Sequence, residues 1–172
     1  MSEIIDEKDK SLVFDLMLKE ISEKEFREKF SHPNPDSTKF IARALEEAYT
    51  ETHDSDEVSA ALNLGFYFEI FSKKLTKVLC NLLLEDWHYQ HENIASALQE
   101  IKDPRSIECL YKGALMEFDD YRVYDEDDSK SLAVKCMYAL HKINTKNSQT
   151  KLEKLKKVDN EKIRSTAKEL TR

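Results

Sequence analysis

Two histidines, His88 and His91, stand three positions apart with Glu85, Asp86 and Glu92 around them and Trp87 beside them. On a helix that spacing would put both imidazoles on one face, a residue set able to ligate a metal. No third histidine or cysteine clusters with them, so a polar helix junction with Trp87 as packing anchor is the plainer reading. A contact for a partner protein is the functional one. A second group runs from Asp119 to Asp128, where Asp119, Asp120, Asp125, Glu126, Asp127 and Asp128 surround Tyr121 and Tyr124. Its acids resemble a calcium loop, but the glycine that the EF-hand turn needs is missing. Tyrosines supply anchoring area and carboxylates match lysine and arginine, which makes this an interface loop for a basic partner, with a solvated acidic loop as the bland alternative. Cys80, Cys109 and Cys136 form an odd set at wide spacing within apolar helical stripes, and they read as buried thiols rather than as disulfide or metal partners.

Enzyme chemistry has little to work with. The chain has no glycine-rich phosphate loop, no Gly-x-Ser-x-Gly elbow and no His-Glu-x-x-His, and His141 has no evident nucleophile beside it. No catalytic residue, cofactor or metal is therefore expected.

The elements that would position these groups read as helices throughout. Only 2 glycines and 3 prolines occur in 172 residues, too few for the tight turns of a sheet protein. Leu12, Val13, Leu16 and Met17 give one amphipathic face to a helix over 10–21. Ser22 and Glu25 form a capping box for a short helix carrying Phe26 and Phe30, and the two prolines of 31–36 break the chain. Helices are then expected over 37–51, over 56–71, over 73–86 with Ser72 as cap, and over 89–101. After Asp103-Pro104, an N-cap followed by proline at the first helical position, come helices over 104–118, 129–143, 149–158 and 161–170.

Charge is uneven. Residues 1–140 hold 30 acidic and 17 basic residues, net −13, while 141–172 hold 4 and 10, net +6. Most of the surface should repel nucleic acid and attract a basic partner. The basic end reads as a solvated helix face or a patch of its own. With no secretory-type start and no apolar run long enough to span a bilayer, a cytoplasmic protein without membrane contact is the expectation.

Ala97-Leu98-Gln99-Glu100-Ile101 recurs as Ala139-Leu140-His141-Lys142-Ile143, 42 residues later, and Ala167 with Leu170 echoes it about 30 residues on. Such a period suggests helix pairs stacked in a solenoid, with the excess of the longer repeat falling in 119–128. Asp103-Pro104, Leu132-Ala133-Val134-Lys135 before Ala139-Leu140, and Ile163-Arg164 before Ala167 are similar to the HEAT-repeat pattern. The stretch from Leu82 to Gln99, with Asp86-Trp87-His88, His91-Glu92 and Ile94-Ala95, followed by Asp103-Pro104-Arg105-Ser106, resembles a family of small bacterial HEAT-like proteins found at polymorphic toxin loci. The likeness is clearest over 80–143 and vague before 60, and the acidic segment is longer than the family leads one to expect.

That resemblance implies a single all-α, HEAT-like domain over 1–172 serving as an immunity protein of the contact-dependent growth inhibition kind. Such a protein binds a cognate toxin domain, here a basic nuclease such as an EndoU-type ribonuclease, as a monomer in a 1:1 complex, and covers its active or substrate-binding surface. The expected contacts are Asp86, Trp87, His88, His91, Glu92, Asp119, Asp120, Tyr121, Tyr124, Asp125, Glu126 and Asp127. A general HEAT adaptor is the second reading. A nucleic-acid-processing enzyme, as in HEAT-like DNA glycosylases, is the third, and the net charge of the first 140 residues opposes it.

Overall fold

The computed structural model describes residues 4–117 and 130–171, so the acidic segment Asp119–Asp128 lies outside the described residues. Among those described, ten α-helices, one π-helical turn and one 3-10 turn account for the regular structure, and there is no strand. None of these helices is long and apolar enough to cross a membrane. The chain divides into two compact units, one of residues 1–78 with 86–90, the other of 79–85 with 91–172.

The first unit starts with α1 (Glu7–Met17), capped by Asp6, whose side chain accepts the Asp9 amide. The capping box forms as its residues predict: Ser22 accepts the Glu25 amide and the Glu25 carboxylate accepts the Ser22 amide, opening α2 (Glu23–Lys29). Ser37 caps α3 (Thr38–Glu47), which widens into a π-turn over Ala48–Thr52 and stops at His53 in the left-handed region. Asp54 then caps α4 (Ser55–Tyr67) by accepting the amides of Asp56 and Glu57. Helix α1 packs on α2 and α4, and α3 on α4. Phe26, Ile41, Leu45, Leu62 and Leu64 fill the resulting core.

Helix α5 (Thr76–Leu83) begins a turn later than the Ser72 cap implies. The Leu75 amide bonds to the Ser72 carbonyl, so 72–75 closes a turn of its own, and the Ser72 hydroxyl is buried without a partner. In the second unit follow α6 (His91–Ile101), the 3-10 turn Pro104–Ser106, α7 (Ile107–Gly113), α8 (Ser131–Ile143), α9 (Lys146–Leu155) and α10 (Glu161–Leu170). Asp103 caps the 3-10 turn as expected, accepting the Arg105 amide with Pro104 next to it. Thr145 and Ser148 build a capping box that starts α9 three residues before the sequence pattern suggests.

Helix α8 is the centre of this unit, touching α6, α7, α9 and α10, while α7 also touches α9. The repeated residues face the core of that arrangement: Ala97 and Leu98 on α6, Ala139 and Leu140 on α8, and Ala167 on α10 are all fully buried. A methyl on Gly113 would lie 3.0 Å from the Cys136 sulfur and 3.2 Å from Leu83 Cδ2, so α7 is seated at glycine distance. Gly113→Ala should therefore lower stability by about 1–2 kcal/mol through overpacking, alanine's better helix propensity notwithstanding. The check is a lower urea midpoint at unchanged slope; an unchanged midpoint would mean that Leu83 gives way.

The cysteines depart from the sequence expectation. Cys80 on α5 and Cys109 on α7 form a disulfide, with Cα atoms 5.4 Å apart across a separation of 29 residues. Their stripes do face the core, but the packing of the two helices brings the sulfurs together, a proximity that wide spacing conceals. Cys136 is a buried thiol, its pKa pushed up by burial.

Candidate protein-binding site

The segment before α6 carries most of the described candidate residues. His88 is not on the helix that begins at His91, so the two imidazoles do not share a helical face as their spacing allows. Both rings are fully buried. The His88 Nδ1 accepts the Gln90 amide at 3.0 Å, and the His91 Nε2–H donates to the Glu85 carbonyl at 2.6 Å. The imidazoles thus satisfy backbone groups of the non-helical stretch leading into α6, where orphan amides and carbonyls need partners. Among the described residues no three His, Cys, Asp or Glu side chains gather as metal ligands would.

Glu92, in the first turn of α6, is tied to α8: it pairs with the Lys135 ammonium at 2.9 Å and accepts the Ser131 hydroxyl at 2.5 Å. Its role in the described residues is to join α6 to the start of α8. Asp86 is exposed, Tyr89 is 62% exposed and Trp87 is half-buried. Trp87 stands edge-on to His53 with ring centroids 5.1 Å apart, and edge-on to His88 at 5.0 Å. Its indole Nε1–H is buried without a partner.

His53 connects Trp87 to a feature that periodicity alone does not reveal. The His53 amide donates to the Ala48 carbonyl at 3.0 Å, five residues back, and φ of +49° turns the chain out of the π-turn. Such turns are uncommon and recur at functional positions. Glu46 at the end of α3, Glu51 on this turn and Asp56 just beyond it are exposed. The unit that holds Trp87 therefore presents carboxylates on the chain to either side of the ring that Trp87 touches.

Behind this edge lies a buried polar cluster. Lys10, 3% exposed, donates to the carboxylates of Asp54 and Glu7. Burial alone would lower the Lys10 pKa, but these two hydrogen bonds reverse it and hold the ammonium charged. Burial would likewise raise the Asp54 carboxyl, and the Lys10 bond with the Asp56 and Glu57 amides outweighs it and holds the group below the ordinary range. Glu57, 1% exposed, accepts the Thr52 hydroxyl at 2.8 Å, while its second oxygen has no partner. Burial pushes its carboxyl up to about 7 despite that bond. Lys10 thus ties the Asp54 cap of α4 to α1, and Glu57 ties the first turn of α4 to Thr52, so the chain is held on both sides of His53.

Compared with protein-family models, characterised proteins and solved structures, the chain matches none. The described residues by themselves define an all-α protein whose histidines at 88 and 91 are built into its framework and whose exposed edge at 86–89 is acidic and aromatic.

Proposed function

We propose that this chain is an immunity protein: it binds a cognate toxin domain, a basic nuclease, and neutralises it by covering the active or substrate-binding surface. The observation that carries this is the contact of the half-buried Trp87 with His53, which brings the exposed Asp86 and Tyr89 beside Trp87 in the chain to the segment holding the exposed Glu51 and Asp56, in a chain of net charge −7. Acidic side chains would stand in for the phosphates of the nuclease's substrate and speed encounter, and a half-buried indole would slow release. Asp119, Asp120, Tyr121, Tyr124, Asp125, Glu126 and Asp127 extend the same chemistry in the segment outside the described residues. His88, His91 and Glu92 would serve by holding their segment in place.

Stacked helix pairs of the HEAT type are part of the proposal. The side-by-side contacts of α6 with α8 and α8 with α10, and of α7 with α9, support it, because equivalent helices of successive repeats would touch in that alternating way. Cytoplasmic location follows from the same reading, since the toxin would be met there.

Trp87→Ala should raise the dissociation rate from a toxin domain that the chain neutralises on co-expression by roughly tenfold to a hundredfold, the range of an aromatic hot spot. Surface-immobilised toxin reports it. An unchanged dissociation rate would remove Trp87 from the interface.

A further inference from the structure

A pocket of about 190 Å³ in the first unit is lined by His32, Asn34, Ser37, Lys39, Phe40 and Arg43, with Pro33 at its edge. No carboxylate lines it, although the chain has 34 acidic residues to 27 basic ones. Lys39 and Arg43 are both exposed and stand four residues apart on α3, where like charges repel. Among the described residues neither has a carboxylate partner, whereas Arg27, Lys135, Lys151 and Arg164 all do. The Ser37 oxygen accepts the Phe40 amide at 3.0 Å, which leaves its hydroxyl hydrogen to donate, and the Asn34 amide offers two more donors. The His32 ring lies 4.9 Å from that of Phe40, giving the pocket an aromatic wall.

We infer that this pocket binds a phosphate oxyanion, free or as the end of a small monoester. Two cationic side chains match a dianion, and arginine and hydroxyl donors suit its tetrahedral oxygens. The volume falls below the roughly 300–1,000 Å³ of sites for drug-sized ligands, so a whole nucleotide does not fit inside. The site is independent of the toxin reading, because its charge is opposite to that of the acidic edge.

The test is a heteronuclear NMR titration of the full chain with inorganic phosphate, with phenyl phosphate, and with chloride at matched ionic strength. Expected are saturable shifts of the amides of Ser37 to Arg43 at millimolar phosphate and none with chloride. Lys39→Ala with Arg43→Ala should weaken binding roughly tenfold or more, while Lys142→Ala with Lys146→Ala, exposed positions of the second unit, should leave it unchanged. Tighter binding of phenyl phosphate would identify a monoester as the ligand, and equal binding the free anion. Shifts reproduced by chloride, or equal in the Lys39/Arg43 variant, would overturn the assignment.

Discussion

Reduction of the Cys80–Cys109 bridge should lower the stability of the second unit by about 3–4 kcal/mol, the loop-closure entropy of a bridge spanning about 30 residues. In a protein of this size that corresponds to a fall in Tm of about 10 °C. The effect comes mainly from the unfolded chain, which regains the freedom that the crosslink removes, so α5 and α7 should keep their places in the reduced protein. Urea unfolding with and without a phosphine reductant measures it. Cys80→Ser with Cys109→Ser should show the reduced midpoint under both conditions, since Cys136 alone cannot replace the bridge. A wild-type midpoint indifferent to reductant would mean that the two sulfurs do not pair in solution. Reducing compartments disfavour such bridges, so in a cytoplasm the reduced stability would be the working one.

Glu57 should make the first unit more stable in mild acid than at neutrality. Its carboxyl is raised from an ordinary 4.5 to about 7 by burial. The folded chain therefore holds a proton that the unfolded chain has lost, and the stabilisation is complete below pH 4.5 and gone above about pH 7. At about 1.4 kcal/mol per unit the loss across that window is about 3 kcal/mol. Asp54, shifted the other way, loses its contribution only in stronger acid, so the two windows are separate. Glu57→Gln keeps an acceptor for Thr52 and removes the titrating proton. It should flatten the decline between pH 4.5 and 7 and stabilise the protein at pH 7.5. Parallel midpoint-against-pH curves for wild type and variant would show that Glu57 does not titrate there.

What could be read along the chain was whatever its cause made local. Ser22 with Glu25 and Asp103 with Pro104 each satisfy amides within three residues, so residue type and spacing suffice, and the alternation of Leu and Ala stripes does the same for the helices of the second unit. The π-turn at Ala48–Thr52 is hidden because no residue type announces it. The disulfide was hidden for the opposite reason, since cysteines 29 residues apart pair only through the seating of α7 beside α5. At the candidate site, Asp86 and Trp87 stood out by type, but the burial of His88 and His91 could not. A histidine near carboxylates has the same sequence signature whether it faces a partner or accepts its own backbone amide. His53 reaches Trp87 only through the fold, and Glu51 and Asp56 belong to this edge only as neighbours of His53 along the chain, so no residue type or spacing points to them.

A negatively charged docking edge is tested most directly by association kinetics, across ionic strength, with a toxin domain that the chain neutralises on co-expression. Wild type is expected to associate fast and to slow steeply as salt rises. Reversing Glu51, Asp56 and Asp86 to lysine, and separately Asp119, Asp120, Asp125 and Asp127, should each slow association by roughly tenfold or more at low salt and flatten the salt dependence. Absence of any complex, or an association rate that neither salt nor either set of reversals changes, would contradict toxin capture through these carboxylates.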